Sequence, residues 1–210
     1  MRGSHRLNTK LRQRIIRKQR EQLRITQASI VSNNCTGAMV AHDLGLQFRT
    51  PFVDLWIPYS HYIRLLGNLR HYLLEVPLEE YETDEVSYPV GLIDDITIYF
   101  QHYPTFTQAY DSWMRRCQRI DWDDLYVLFV CSNQGHLNEL LAFDKLPFKN
   151  KIALCPPVSD DYQLPSSARP LHSISLDSQG NLPTLTDYSG ICGRRYYDAF
   201  DFVSWLNNPT

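Results

Sequence analysis

A cysteine follows two asparagines in the run Ser32-Asn33-Asn34-Cys35-Thr36-Gly37, directly after a short β-rich stretch at residues 28–32. A helix is expected to begin there. Free backbone N–H groups and the helix dipole at such a start favour negative charge. A thiol in that position loses its proton more easily, and the thiolate is the nucleophilic form. Asn33, Asn34 and nearby N–H groups would supply an oxyanion hole, and Ser32 and Gly37 of the same turn are counted with them as substrate- or cofactor-binding residues. The plainer alternative is a half-buried cysteine beside two asparagines that merely make a turn.

A second apolar run ends in the same manner, in Val130-Cys131-Ser132-Asn133-Gln134-Gly135-His136. Open α/β sheets bind ligands outside the carboxyl ends of their strands, so Ser132 and Asn133 are candidates to face the same crevice as Cys35. Both turns are equally readable as ordinary connections. The third candidate is Gly91-Leu92-Ile93-Asp94-Asp95-Ile96, with His102 after it. His102 would act as base toward Cys35, and Asp95 would orient the imidazole. The competing reading is a structural histidine, with Asp94 and Asp95 as turn residues.

His42 lies seven residues beyond Cys35, about two helical turns along, where it would line the same groove or sit on the surface. Arg115 and Arg116, with Arg119, end a helix; they suit either a phosphate clamp or the negative end of the helix dipole. The neighbouring Asp121, Asp123 and Asp124 are expected to pair with them locally. Dinucleotide-binding, P-loop, nucleophile-elbow and zinc-protease patterns do not occur. Five cysteines, an odd number with no CxxC pair, imply neither a disulfide framework nor a structural zinc site. No metal ligands are assigned.

The elements that must position these residues are readable from periodicity. Residues 52–57 (FVDLWI) suggest a strand, and residues 61–74 a helix with a broad leucine face, capped by Ser60. Residues 90–93 and 96–100 suggest a hairpin turning at Asp94-Asp95. A helix is expected over 107–119 with Thr107 as cap, a buried parallel strand over 125–131, a helix over 137–145 and a strand over 151–155. Residues 156–190, rich in Pro, Ser and Asp, read as a long loop near a site. Residues 194–206 read as a terminal helix. Strands alternating with helices predict a three-layer α/β domain with a mainly parallel sheet plus an antiparallel hairpin, preceded by a basic N-terminal helix.

The chain has 210 residues, 43% apolar and 21% charged, ordinary values for one globular domain. The expected division is a basic arm at residues 1–24 and a single domain at 25–210. The formal net charge of −2 hides an asymmetry, because residues 1–24 carry about +8 and the rest about −10. The arm therefore seeks its own acidic body or another anion, such as a membrane surface; nucleic acid is not the expected partner. No apolar stretch reaches the ~20 residues of a membrane helix, and no signal-peptide pattern follows the basic start. The expected location is cytoplasmic, at most peripheral to the inner face of the membrane.

Several short motifs then occur in order: Ser32-Asn33-Asn34-Cys35-x-Gly37, Asp43-Leu44-Gly45-Leu46, Thr50-Pro51-Phe52, Tyr88-Pro89-Val90-Gly91, Phe100-x-His102-Tyr103, Trp113-x-Arg115-Arg116 and residues 143–151 (FDKLPFKNK). Over residues 25–206 the series resembles the bacterial domain-of-unknown-function 1919 family, whose members are often named exopolysaccharide biosynthesis proteins. Thr36 and Ala38 depart from the aromatic residue and glycine common there. The resemblance implies an α/β domain and a link to capsule or exopolysaccharide assembly. The Asn-Cys turn is also distantly similar to polysaccharide acetyltransferase-like proteins that bind coenzyme A.

The expectation is therefore a transferase that places an acyl group, foremost acetyl, on a glycan or sugar precursor. Cys35 would be nucleophile or carbonyl polariser, and acetyl-coenzyme A a co-substrate rather than a tightly bound cofactor. A glycosyl or phosphosugar transferase working on a sugar nucleotide is the second enzymatic reading. A non-catalytic glycan-assembly adaptor, held to the membrane or to assembly proteins by its arm, is the third.

Overall fold

A computed structural model describes residues 2–133, 136–158 and 163–209, and side chains from residue 7 onward. Gln134 and Gly135 of the second polar turn lie outside the described residues. Four parallel strands, β1 (Ser29–Ser32), β5 (Leu125–Val130), β6 (Asn150–Cys155) and β7 (Ala168–Pro170), form one sheet in the order β1-β5-β6-β7. A second, antiparallel sheet holds β2 (Glu79–Glu80), β3 (Val90–Ile93) and β4 (Ile96–Tyr99).

Side chains alternate across the faces of a strand, and here both faces are buried. Ile30, Tyr126, Leu128, Val130, Ile152 and Leu154 face one cluster. It is covered by α2 (Cys35–Leu44) through Val40 and Leu44, and by α7 (Phe202–Asn207) through Phe202, Val203 and Leu206. Val31, Val127, Phe129, Ala153 and Cys155 face the other cluster, with α3 (Tyr59–Gly67), α4 (Leu69–Leu74), α5 (Phe106–Cys117), α6 (Leu137–Asp144) and the antiparallel sheet. The α/β architecture, with helices on both sides of a mainly parallel sheet, is the one the sequence predicts.

The basic helix α1 (Arg2–Gln22) lies against this body. Arg12, only 4% exposed, donates to Asp43 of α2 at 2.7 Å and to Asp198, with the Tyr197 hydroxyl beside it at 2.5 Å. Asn8 accepts from the Gly193 N–H at 3.0 Å and donates to the Gly190 carbonyl at 2.8 Å. Gly193 is required there: its φ is +73°, and a Cβ would stand 2.6 Å from the Arg12 nitrogen. The arm finds its counter-charge on its own domain.

Local departures have local causes. Residues 52–57 make no ladder; Trp56 alone bridges Tyr99, because prolines stand at 51 and 58 and Asp54 takes a left-handed φ of 60°. The helix expected over 61–74 breaks at Asn68, whose φ of −145° is extended. Helix α5 starts one residue early because Thr105, not Thr107, accepts the Gln108 N–H at 3.3 Å. The terminal helix divides into a 3₁₀ turn, Tyr196–Ala199, and α7, which Asp201 caps. Strand β7 emerges from the stretch read as loop.

Candidate functional site

Strands β1 and β5 end side by side, and Asn33 seals the two ends. Its side-chain amide donates to the Val130 carbonyl at 3.1 Å, and its oxygen accepts the Val130 N–H at 2.8 Å. Asn33 is fully buried and both its polar groups are spent, so it clamps strands and does not stabilise an oxyanion. Asn34 is the N-cap of α2, its oxygen accepting the Thr36 N–H at 3.0 Å. Gly37 lets α2 approach β1, since a Cβ there would lie 2.7 Å from the Ser32 Cβ. Ser32 is buried beneath that contact. Ser32 and Gly37 thus shape the turn and do not border the cleft.

Beyond these strand ends lies a cleft of about 620 Å³. Asn34, Cys35 and Thr36 border it at the start of α2, Ser132 at the end of β5, and Gln101 and His102 just past β4. Trp56, Tyr59 and Tyr88 add aromatic walls, and residues 184–187 of the long loop close the remaining side. Cys35 and His102 therefore share one cleft. The segment at 54–57 holds both: the Cys35 thiol donates to the Leu55 carbonyl at 3.6 Å, and the His102 N–H donates to the Asp54 carbonyl at 3.4 Å. The same segment is pinned to the turn by the Ile57 N–H, which donates to the Asn33 carbonyl at 2.9 Å.

The electrostatics of Cys35 reverse the expectation. Burial, reinforced by the negative charge of Asp54, pushes its thiol up to about 11, against the weaker opposite pull of the Leu55 contact. The helix start does not overcome these two effects, and at neutral pH the sulfur carries its proton. Tyr59 is fixed as well. Its hydroxyl accepts the Ser132 N–H at 2.9 Å and donates to Asn133 Oδ1 at 3.4 Å.

Four expected participants lie elsewhere. Asp95 sits on the hairpin turn, a strand's length from His102, and is engaged by Arg64 and by the Tyr72 hydroxyl at 3.3 Å. It cannot orient the imidazole. His42 is at the far end of α2, in contact with Asp43 at 3.3 Å, and borders a separate groove against α1. Arg115 bonds Ser112 on its own helix at 3.2 Å. Arg116 bonds the Tyr103 hydroxyl at 2.6 Å and stands over the Phe48 ring. Neither arginine borders the cleft, and no Arg or Lys does among the described residues. Asn133 faces an adjoining pocket beyond Tyr59.

Trp56, Tyr59 and residues 184–187 carry no sequence pattern that singles them out for the site, and Tyr88 stands only in the Tyr88-Pro89-Val90-Gly91 motif of the series. One signal is present: an aspartate interrupting the apolar run 52–57 between two prolines. Among the described residues no group of three or more His, Cys, Asp or Glu side chains converges as a metal site requires. No helix among them is long and apolar enough to cross a membrane.

The family described as Domain of unknown function (DUF1919) matches residues 6–207. The match takes in α1 from residue 6 onward, a helix that the motif series over 25–206 does not reach. An uncharacterized protein of Haemophilus influenzae is 32% identical over 180 residues, covering 86% of this chain and 84% of its own length.

Proposed function

The chain belongs to the domain-of-unknown-function 1919 family, and from that starting point we propose that it transfers an acyl group, foremost acetyl, from a thioester to a sugar hydroxyl in the cleft holding Cys35 and His102. The observation that carries this reading is the tethering of those two residues to adjacent carbonyls at the open end of β1 and β5. His102, exposed at the mouth, takes the proton of the attacking hydroxyl. The sugar oxygen bonds to the thioester carbon, the carbon–sulfur bond breaks, and the leaving thiolate receives that proton.

The protonated Cys35 supports direct transfer over a covalent acyl-cysteine. The Cys35 S–H is engaged by the Leu55 carbonyl and the Thr36 N–H by Asn34, so it is the positive end of the α2 dipole that favours the carbonyl oxygen as it becomes negative. The absence of Arg and Lys from the described lining disfavours a nucleotide diphosphate inside the cleft. It accommodates a neutral acyl arm whose phosphates remain outside. Capsule or exopolysaccharide assembly is the setting proposed from the sequence resemblance.

A specific observation also favours peripheral attachment. Lys10, Arg14, Arg17 and Lys18 stay exposed on α1, so its outer face suits an anionic membrane while Arg12 holds the inner face. An adaptor without catalysis would use that face alone.

Thermal unfolding with coenzyme A, acetyl-coenzyme A and sugar nucleotides separates these readings. A ligand at about 100 times its Kd stabilises by about 2.7 kcal/mol, and each kcal/mol raises Tm by roughly 2–4 °C at this size. A shift with acetyl-coenzyme A, and acetylated sugar formed by the wild type but not by His102→Ala, is the expected result. A shift with sugar nucleotides alone supports the glycosyl or phosphosugar transferase. No shift with any of them supports the adaptor.

A further inference from the structure

The cleft does not end at Tyr59. A second pocket, of about 360 Å³, opens on the far side of Trp56 and Tyr59, and both aromatic residues border both spaces. We propose that this second pocket binds a neutral saccharide, placing the sugar's ring against Trp56 and its acceptor hydroxyl toward His102. The proposal rests on the acyl-transfer reading for its orientation, but the binding itself does not require that reading.

The platform is built and rigid. The Trp56 ring stacks on Tyr99 at 4.8 Å with an interplanar angle of 35°. Its backbone is fastened to Tyr99 in both directions, at 2.8 and 2.9 Å. Tyr59 is held by the Ser132 amide and Asn133, and its ring meets the His136 ring edge-on at 4.8 Å. Ordering entropy at this platform is therefore spent on folding and is not charged again to a ligand. An aromatic face carries partial negative charge, which attracts the polarised C–H bonds along one side of a pyranose ring.

The rim supplies what the hydroxyl groups of such a ring require. Asn133 gives its oxygen to Tyr59 and keeps its NH₂ as donor. Glu139, beside His136 at 3.1 Å, has a side chain still 26% exposed and offers a carboxylate acceptor. Ser60 adds a hydroxyl at the entrance. Apolar stacking surface ringed by mixed donors and acceptors is the makeup of a site for a polar, uncharged, ring-shaped ligand. The charge settles the class further. Glu139 is acidic and no Arg or Lys borders the pocket among the described residues, so a phosphorylated sugar would meet repulsion without compensation.

The test uses the full chain with no acyl donor. The probes are the methyl glycosides of glucose, galactose and N-acetylglucosamine, with glucose 6-phosphate as the charged comparison, followed by saturation-transfer NMR and tryptophan fluorescence. At least one methyl glycoside is expected to bind with a Kd at or below about 10 mM, ordinary for a single ring of few atoms. Trp56→Leu should weaken it about tenfold or more and Glu139→Gln several-fold. Trp56 belongs to a packed segment, so Glu139→Gln, at a partly exposed position and with unchanged thermal unfolding, keeps the test decisive if Trp56→Leu misfolds. Three results overturn the proposal: no glycoside binding, binding unaltered in Glu139→Gln, or tighter binding of glucose 6-phosphate than of methyl glucoside. Glycoside binding here, with no acetylated sugar formed once acetyl-coenzyme A is added, would remove the acyl-transfer reading and leave the saccharide site standing.

Discussion

Cys35 and His102 hang on neighbouring carbonyls of one segment, the thiol on Leu55 at 3.6 Å and the histidine amide on Asp54 at 3.4 Å. Residues far apart in the chain are thus brought to one cleft by two peptide units of a third stretch. The first consequence concerns the sulfur. A thiol pushed to about 11 is ionised in about one molecule per thousand at pH 8. Iodoacetamide at that pH should modify exposed Cys192 rapidly and Cys35 slowly. Peptide mapping after timed quenching checks this. Rapid modification of Cys35 would restore the covalent route.

The sign of the stability effect follows from the same raised thiol. The native group lies above its ordinary 9.0, so the protonated form contributes stability below pH 9. That contribution is lost as the pH climbs through about 11. Replacing Cys35 with serine should therefore reduce the steepness of alkaline unfolding between those limits, measured by circular dichroism.

Asp54 offers a sharper handle on the same sulfur. Burial is the main cause of the raised thiol and the Asp54 charge the second. Asp54→Asn keeps a residue type that tolerates the left-handed φ of 60° while removing the charge. Cys35 alkylation at pH 8 should then accelerate several-fold, with about tenfold as the ceiling. An unchanged rate would mean that burial alone governs the thiol.

How much of this is legible in the sequence divides by the range of the cause. Residues 125–131 read as a buried parallel strand because a run of apolar residues needs no partner to be recognised, and β5 takes up Leu125–Val130 of it. The hairpin expected over 90–93 and 96–100 announces itself by alternation and Asp94-Asp95, and its ladder runs from the pair Val90 and Tyr99 to the pair Ile93 and Ile96. Residues 52–57 look like a strand on composition, yet the flanking prolines and the φ of Asp54 deny them a ladder. That failed strand is the segment that assembles the site. Cys35 and His102 are identifiable by type and local context, and the cleft holds both. Asp95 misleads because sequence proximity to His102 hides the intervening length of β4. The thiol's direction misleads because the helix dipole is visible in sequence, whereas burial and a charge from residue 54 are tertiary.

Gly37 supports the turn from below. A methyl group there would stand 2.7 Å from the Ser32 Cβ and 3.1 Å from the Ile30 Cγ2, and neither belongs to a long flexible side chain. Gly37→Ala should cost about 1–3 kcal/mol through overpacking and displace the start of α2 with Cys35 on it. Urea unfolding gives the first quantity. If stability were unchanged, α2 would have room against β1 that the contact denies.

Arg12 tests whether α1 is an accessory arm or part of the domain. Its guanidinium joins Asp43 and Asp198, with side-chain exposures of 7% and 4% for the two carboxylates. Arg12→Ala leaves both acids buried without their cation, a loss of about 3–5 kcal/mol, whereas Arg14→Ala on the exposed face should stay within about 0.5 kcal/mol. Burial by itself would raise the Asp43 carboxyl, but the Tyr197 hydroxyl and Arg12 outweigh it and hold it below the ordinary value. A lowered native value means that stability is present above the ordinary 3.8 and lost as the pH falls through the native one. Removing Arg12 should therefore move acid unfolding to a higher pH, followed by tyrosine and tryptophan fluorescence. Were Arg12→Ala as stable as Arg14→Ala at pH 7, with the same acid midpoint, the arm would be held by something other than this pair of acids.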